Sequence, residues 1–155
     1  MNDEPDLAER VAALEARVAA LEGSGGEASP GTGGSISYAG DVHLFGDVSW
    51  SIGYSPDGVL NLPPDRSVEV LAALGHPVRF AVVRALLHGP ATATDLQSAV
   101  GLSSVGQLYH HLKTLTSARV VEQHGRGDYR LAPKTVVPAL VLMLASADIA
   151  GELTR

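Results

Sequence analysis

The spacing of apolar residues changes period several times along the chain. Leu7, Val11, Leu14, Val18 and Leu21 recur at alternating intervals of four and three. This predicts a dimerisation helix over residues 5–22 with Leu at d and Val at a, the combination that favours a parallel two-stranded coiled coil. Arg10 and Arg17 then fall at g, and Glu15 and Glu22 at e, so opposite charges meet across such a dimer. The bland alternative is an amphipathic helix lying on its own domain. Residues 23–35, rich in Gly and Ser, hold no apolar side chain large enough to anchor a core and read as a flexible linker. Over 36–62 the period becomes two. Val48, Trp50, Ile52 and Tyr54 alternate with Ser49, Ser51 and Gly53, predicting one half-buried strand. Val42 with Leu44, and Ile36 with Tyr38, suggest two more. Gly40-Asp41, Gly46-Asp47 and Pro56-Asp57-Gly58 read as turns. A β segment this small cannot stand alone and is expected to pack on a neighbour or a second copy.

After Pro63-Pro64 the period turns helical. Val68, Leu71 and Leu74 predict a helix that stops at Gly75-His76-Pro77. Phe80, Val83, Leu86 and Leu87 predict a second, ended by Gly89-Pro90. Thr92 or Thr94 can cap a short third helix that ends at Gly101. Ser103 or Ser104 caps a fourth, over about 104–116, whose inward face is Val105, Leu108, Leu112 and Leu115. The step through Gly101-Leu102-Ser103 is a tight helix-turn-helix. Residues 119–131 around Gly125-Arg126-Gly127 read as a β-hairpin, and 134–152 as a terminal helix with a continuous apolar face. That face includes Val137, Leu140 and Leu144. The predicted class is mainly α with small β: a winged helix-turn-helix at 66–133, preceded by a coiled-coil helix, a linker and a small antiparallel β segment.

Composition adds exclusions. The chain has no cysteine, hence no disulfide, thiolate site or cysteine nucleophile. Its longest strongly apolar run, Val136 to Ala147, is too short for a bilayer, and a cytoplasmic protein without membrane contact is expected. The net charge of −6 is uneven. Residues 1–64 carry ten acids against two bases, a balance of −8; residues 65–155 carry nine bases against seven acids, a balance of +2. The asymmetry separates an acidic arm from a mildly basic domain.

Two stretches then point to a family. Leu71-Ala72-Ala73-Leu74-Gly75-His76-Pro77-Val78-Arg79, and Gln107-Leu108-Tyr109-His110-His111-Leu112-Lys113-Thr114-Leu115 followed by a Gly-rich wing, resemble the ArsR-type winged-helix regulators over about 66–147. The resemblance implies a bacterial homodimer, its fourth helix in the major groove and a terminal helix joining the dimer, with Val137, Leu140 and Leu144 as expected dimer contacts. It implies double-stranded DNA as partner, a repressor's role and no enzymatic activity. Metal-sensing members use Cys pairs or Asp/His/Glu sets that this chain lacks, so no metal or other cofactor is expected.

The residues support this independently. With the leucines inward, Ser104, Gln107, Tyr109, His110 and Lys113 lie on or beside the opposite face. Gln can bond adenine bidentately, Ser can donate or accept, and a Tyr ring can touch a thymine methyl. Lys113 and Arg119 are placed for phosphates, and Arg126 at the wing tip for a minor groove. Ser103 and His111 complete the expected set, with core packing an equal alternative for His111. Tyr38, Phe45, Trp50 and Tyr54 form a candidate surface for an unidentified small-molecule effector or partner, or simply the β segment's own core. The competing functional class is a protein-interaction scaffold that keeps the fold without DNA. Its support is the overall charge and the single Lys of the fourth helix. If the coiled coil and terminal helix pair different chains, assemblies larger than a dimer follow.

Overall fold

The computed structural model describes residues 11–14 and 33–153. Residues 11–14 are helical, with Val11 and Leu14 exposed. Leu7, Val18 and Leu21, and residues 23–32 of the expected linker, lie outside the described residues. Strands β1 (Ile36–Val42) and β2 (Val48–Tyr54) form a two-stranded sheet, which the short connection 43–47 can join only as an antiparallel hairpin. Helices α1 (Pro56–Leu60), α2 (Pro64–Leu74) and α3 (Pro77–Leu86) follow. Strand β3 (Ala91–Thr92) leads into α4 (Ala93–Ala99) and α5 (Val105–Ser117). Strands β4 (Glu122–His124) and β5 (Asp128–Arg130) then precede α6 (Pro133–Ile149).

The fold divides into two compact units. Among the described residues, one comprises the segment up to Tyr38 with Ser51–Leu62; the other comprises Ala39–Trp50 with Pro63 onward. The first holds the open end of the hairpin and α1. Residues 56–58, expected as a turn, begin that helix. Ser55 accepts from the Gly58 N–H at 3.0 Å and Pro56 supplies the preset φ of a first helical position.

The second unit is a winged helix-turn-helix built around Val82, Val83, Leu96, Leu108, Leu112 and Leu115, each at most 1% exposed. Sheet order β3-β5-β4 is antiparallel throughout, pairing Ala91 with Tyr129 and Gln123 with Tyr129 across β5. The two-residue β3 had no sequence signal; it exists because the wing offers it a partner. Tyr129 is buried, and its phenol pKa is raised by burial, with the neighbouring Tyr109 adding to the shift.

The hairpin tip departs from the three strands expected. Strand β1 runs unbroken through Gly40-Asp41, and Leu44 lies in the connection. Tyr38, Gly40 and Val42 alternate with exposed neighbours. Gly40 is needed for contact rather than for turning: a Cβ there would sit 2.7 Å from Cγ1 of Val137 on α6. Replacing Gly40 by Ala should therefore overpack the tip against α6, costing about 1–3 kcal/mol in urea unfolding. An unchanged midpoint would show that the tip does not lie against α6.

Candidate nucleic-acid interface

The junctions of the second unit are set by end-caps. In α4, Thr92 Oγ1 accepts from the Asp95 N–H at 3.1 Å, and Asp95 reaches back to the Thr92 N–H at 3.4 Å, a reciprocal capping box. At its other end Gly101 takes φ +67. The Leu102 N–H then donates to the Gln97 carbonyl and the Gly101 N–H to Ser98, a Schellman closure. Gln97 Nε2 adds a bond to the Leu102 carbonyl at 3.0 Å, stiffening the turn. Ser104 opens α5 by accepting from the Gly106 N–H at 3.2 Å.

The motif ahead of α3 has a structural explanation of its own. Arg79 donates through Nε to the Ala73 carbonyl and through Nη2 to that of Ala72 at 2.8 Å, placing a cation on the last turn of α2. His76 Nδ1 accepts from the Val78 N–H at 3.2 Å, capping α3. The stretch from Leu71 to Arg79 is thus a clamp on the α2–α3 corner.

With Leu108, Leu112 and Leu115 buried, α5 turns Gln107, Tyr109, His110 and Lys113 to the surface beside Ser103 and Ser104. No acid interrupts α5. Val105, expected inward, is 42% exposed, because the first turn of α5 projects past the core. A groove of about 650 Å³ runs between α2 and α5, lined by Arg66, Arg79, His110, Lys113 and Thr114 among others. Its acid, Glu69, binds Arg66 at 2.8 Å. The wing tip holds Arg126 exposed between Gly125 and Gly127, at φ +74 and +84. Glu122 and Arg130 pair across the wing at 2.7 Å.

His111 is the exception among the expected site residues. It turns toward the α2–α3 corner, where its ring centroid lies 4.7 Å from that of His76 and its Nδ1 is buried without a hydrogen-bond partner. Burial, then the nearby His76, Arg79 and His110, lower its pKa. Arg119 carries a feature that sequence reasoning missed. It is exposed with φ +59, the single non-glycine in the left-handed region among the described residues. There it closes α5: the Val120 N–H donates to the Leu115 carbonyl and the Arg119 N–H to Thr116.

The residues of the expected effector surface differ in exposure. Tyr38 and Trp50 are half-buried, with Trp50 Nε1 lacking a hydrogen-bond partner; Tyr54 and Phe45 are exposed. Of the expected terminal-helix contacts, Val137 is buried within its own chain, Leu140 is half-buried and packs on the core, and Leu144 is 58% exposed. No group of three or more His, Asp or Glu side chains among the described residues is placed to hold a metal ion. None of the described helices is long and apolar enough to cross a membrane.

Residues 74–124 match a family described as a helix-turn-helix domain, and the chain carries such a domain there. Comparison with curated proteins gives no significant match. Among solved structures, the transcriptional repressor BigR from Xylella fastidiosa is similar at 26% identity and TM-score 0.45, covering 55% of this chain and 86% of that one. The homodimeric winged helix-turn-helix domain of Mb0332 from Mycobacterium bovis, a possible ArsR-family regulator, is similar at 24% identity and TM-score 0.48, covering 59% and 88%. Quinone-bound YodB from B. subtilis is similar at 17% identity and TM-score 0.49, covering 57% and 98%.

Two outcomes follow from the geometry. Burial lowers the His111 pKa in the fold, so the unfolded chain binds a proton there more readily. The stability this contributes is complete above about pH 6.5 and drains as pH falls below it. Thermal unfolding from pH 7.5 to 5.5 should show a steeper fall for the native chain than for His111→Phe; parallel curves would refute the placement. Arg119→Gly should relieve the left-handed strain and raise stability by up to about 1 kcal/mol in urea unfolding, whereas a loss would contradict the closure described.

Proposed function

We propose that the chain is a sequence-reading DNA-binding transcription regulator that works as a homodimer. The observation carrying this is the surface of α5: Ser104, Gln107, Tyr109, His110 and Lys113 exposed together, no acid among them, on a helix rotated by three buried leucines. In this reading α5 enters the major groove, where Gln107 and the hydroxyl and aromatic groups meet base edges. Lys113 and Arg119 meet phosphates, and Arg126 reaches the adjacent backbone or minor groove. His111 is removed from the expected contacts and positions the helix from behind. The protein binds rather than catalyses, and repression follows from occupying a promoter.

Dimerisation is supported by apolar side chains left in water. Val68 and Leu71 on α2 and Leu144 and Ile149 on α6 are each more than half exposed, Ile149 at 90%. Together with the heptads of residues 7–21 they offer two surfaces on which a second copy gains by burial. The opposing reading, a protein scaffold, draws on the net charge of −6 and the single Lys of α5.

Selection of genomic DNA fragments by the purified protein separates the two. The native chain should enrich a short inverted repeat. Gln107→Ala should relax preference at one position of each half-site and weaken binding by about 1–3 kcal/mol. No enrichment at low salt from a folded dimer would favour the scaffold.

A further inference from the structure

The hairpin tip covers a cavity that the DNA reading does not use. It is about 160 Å³, lies wholly within the second unit, and is walled by Val42, Phe45 and Val48 of the tip together with Leu86, Leu131 and Val136. We infer that this cavity is a binding site for a neutral, single-ring organic molecule carrying one hydrogen-bond acceptor.

Size and lining set the ring. An apolar cavity of about 150 Å³ accepts one benzene-sized molecule, and this partly open pocket, with Arg130 as its charged wall, has room for a single ring. Phe45, in its wall, is a large apolar side chain left 63% exposed. Its position is prepared by Gly89, where a Cβ would lie 3.0 Å from the Phe45 ring. Gly89 holds φ +134, open to glycine almost alone, so the seat for Phe45 is built by the backbone.

Charge sets the rest. The cavity's one charged lining residue is Arg130, whose Nε donates to Glu122 at 2.7 Å. That carboxylate already balances the guanidinium. A guanidinium has five N–H donors, so it can serve a neutral acceptor as well. An anionic ligand would instead bring a second negative charge into an apolar wall.

Calorimetric titration of the full chain, without DNA, tests the inference independently of the proposed function. Benzyl alcohol should bind saturably at one site per chain, and benzoate about tenfold more weakly or less. Phe45→Ala, which removes a wall at an exposed position, and Val136→Phe, which fills the space, should each weaken benzyl alcohol at least about tenfold. Circular dichroism confirms folding, and if Val136→Phe fails to fold, Phe45→Ala decides. Absence of saturable benzyl alcohol binding, binding unchanged in the folded variants, or benzoate binding as tightly would each overturn it.

Discussion

Burial of Leu108, Leu112 and Leu115 is the constraint on which the rest of the second unit depends. Three leucines, each at most 1% exposed, fix the rotation of α5 about its axis. Truncating any one would cost about 2–5 kcal/mol, comparable to a small domain's whole stability. Because successive helical residues lie about 100° apart, that burial also decides what faces water. The same leucines hold both ends of the helix in place. Leu115 supplies the carbonyl that closes the turn into Val120 and the wing, and Ser104 starts the helix where the Gly101 turn delivers the chain. Packing and surface chemistry are two sides of one placement.

Around this helix the structure uses side chains to finish backbone ends rather than to build polar networks inside. No polar or charged residue is fully buried among the described residues. Arg79 and His76 serve the α2–α3 corner, Thr92 and Asp95 open α4, and Gly101 ends it. Each such cap contributes on the order of 1 kcal/mol and mainly sets the angle at which one element leaves another. The tilted contact of the His76 and His111 rings, 4.7 Å between centroids, ties the corner to α5. An imidazole that stays neutral can lie against another ring, whereas a charged one would meet Arg79 and His110. The exposed face of α5 is therefore supported from behind by the residues of this corner.

Much of this was legible because local chemistry marks it. Thr92, Gly101 and Ser104 sit where capping preferences place them, and the leucine spacing named the buried face of α5. The sequence also held the Ser55-Pro56 start of α1, read instead as a turn. Other features depend on partners distant in sequence. Gly40-Asp41 reads as a turn locally, yet Gly40 is there because Val137 approaches it. Phe45 looked like packing for its own sheet, but its ring lies over Gly89. For His111 the sequence left DNA contact and core packing equally open, and the ring of His76, 4.7 Å away, shows which side it faces. The left-handed Arg119 was invisible, since nothing in an arginine's propensity predicts that conformation.

The central claim is that the outer face of α5 and the wing tip meet nucleic acid through its charged backbone as well as its bases. Its most direct test is the salt dependence of affinity for duplex DNA, compared among the native chain, Lys113→Gln and Arg126→Gln. Log affinity should fall linearly with log salt, and each substitution should lower the slope by about 1 as one phosphate contact is lost. A folded protein whose DNA affinity is absent or indifferent to salt, with all three slopes alike, would contradict it.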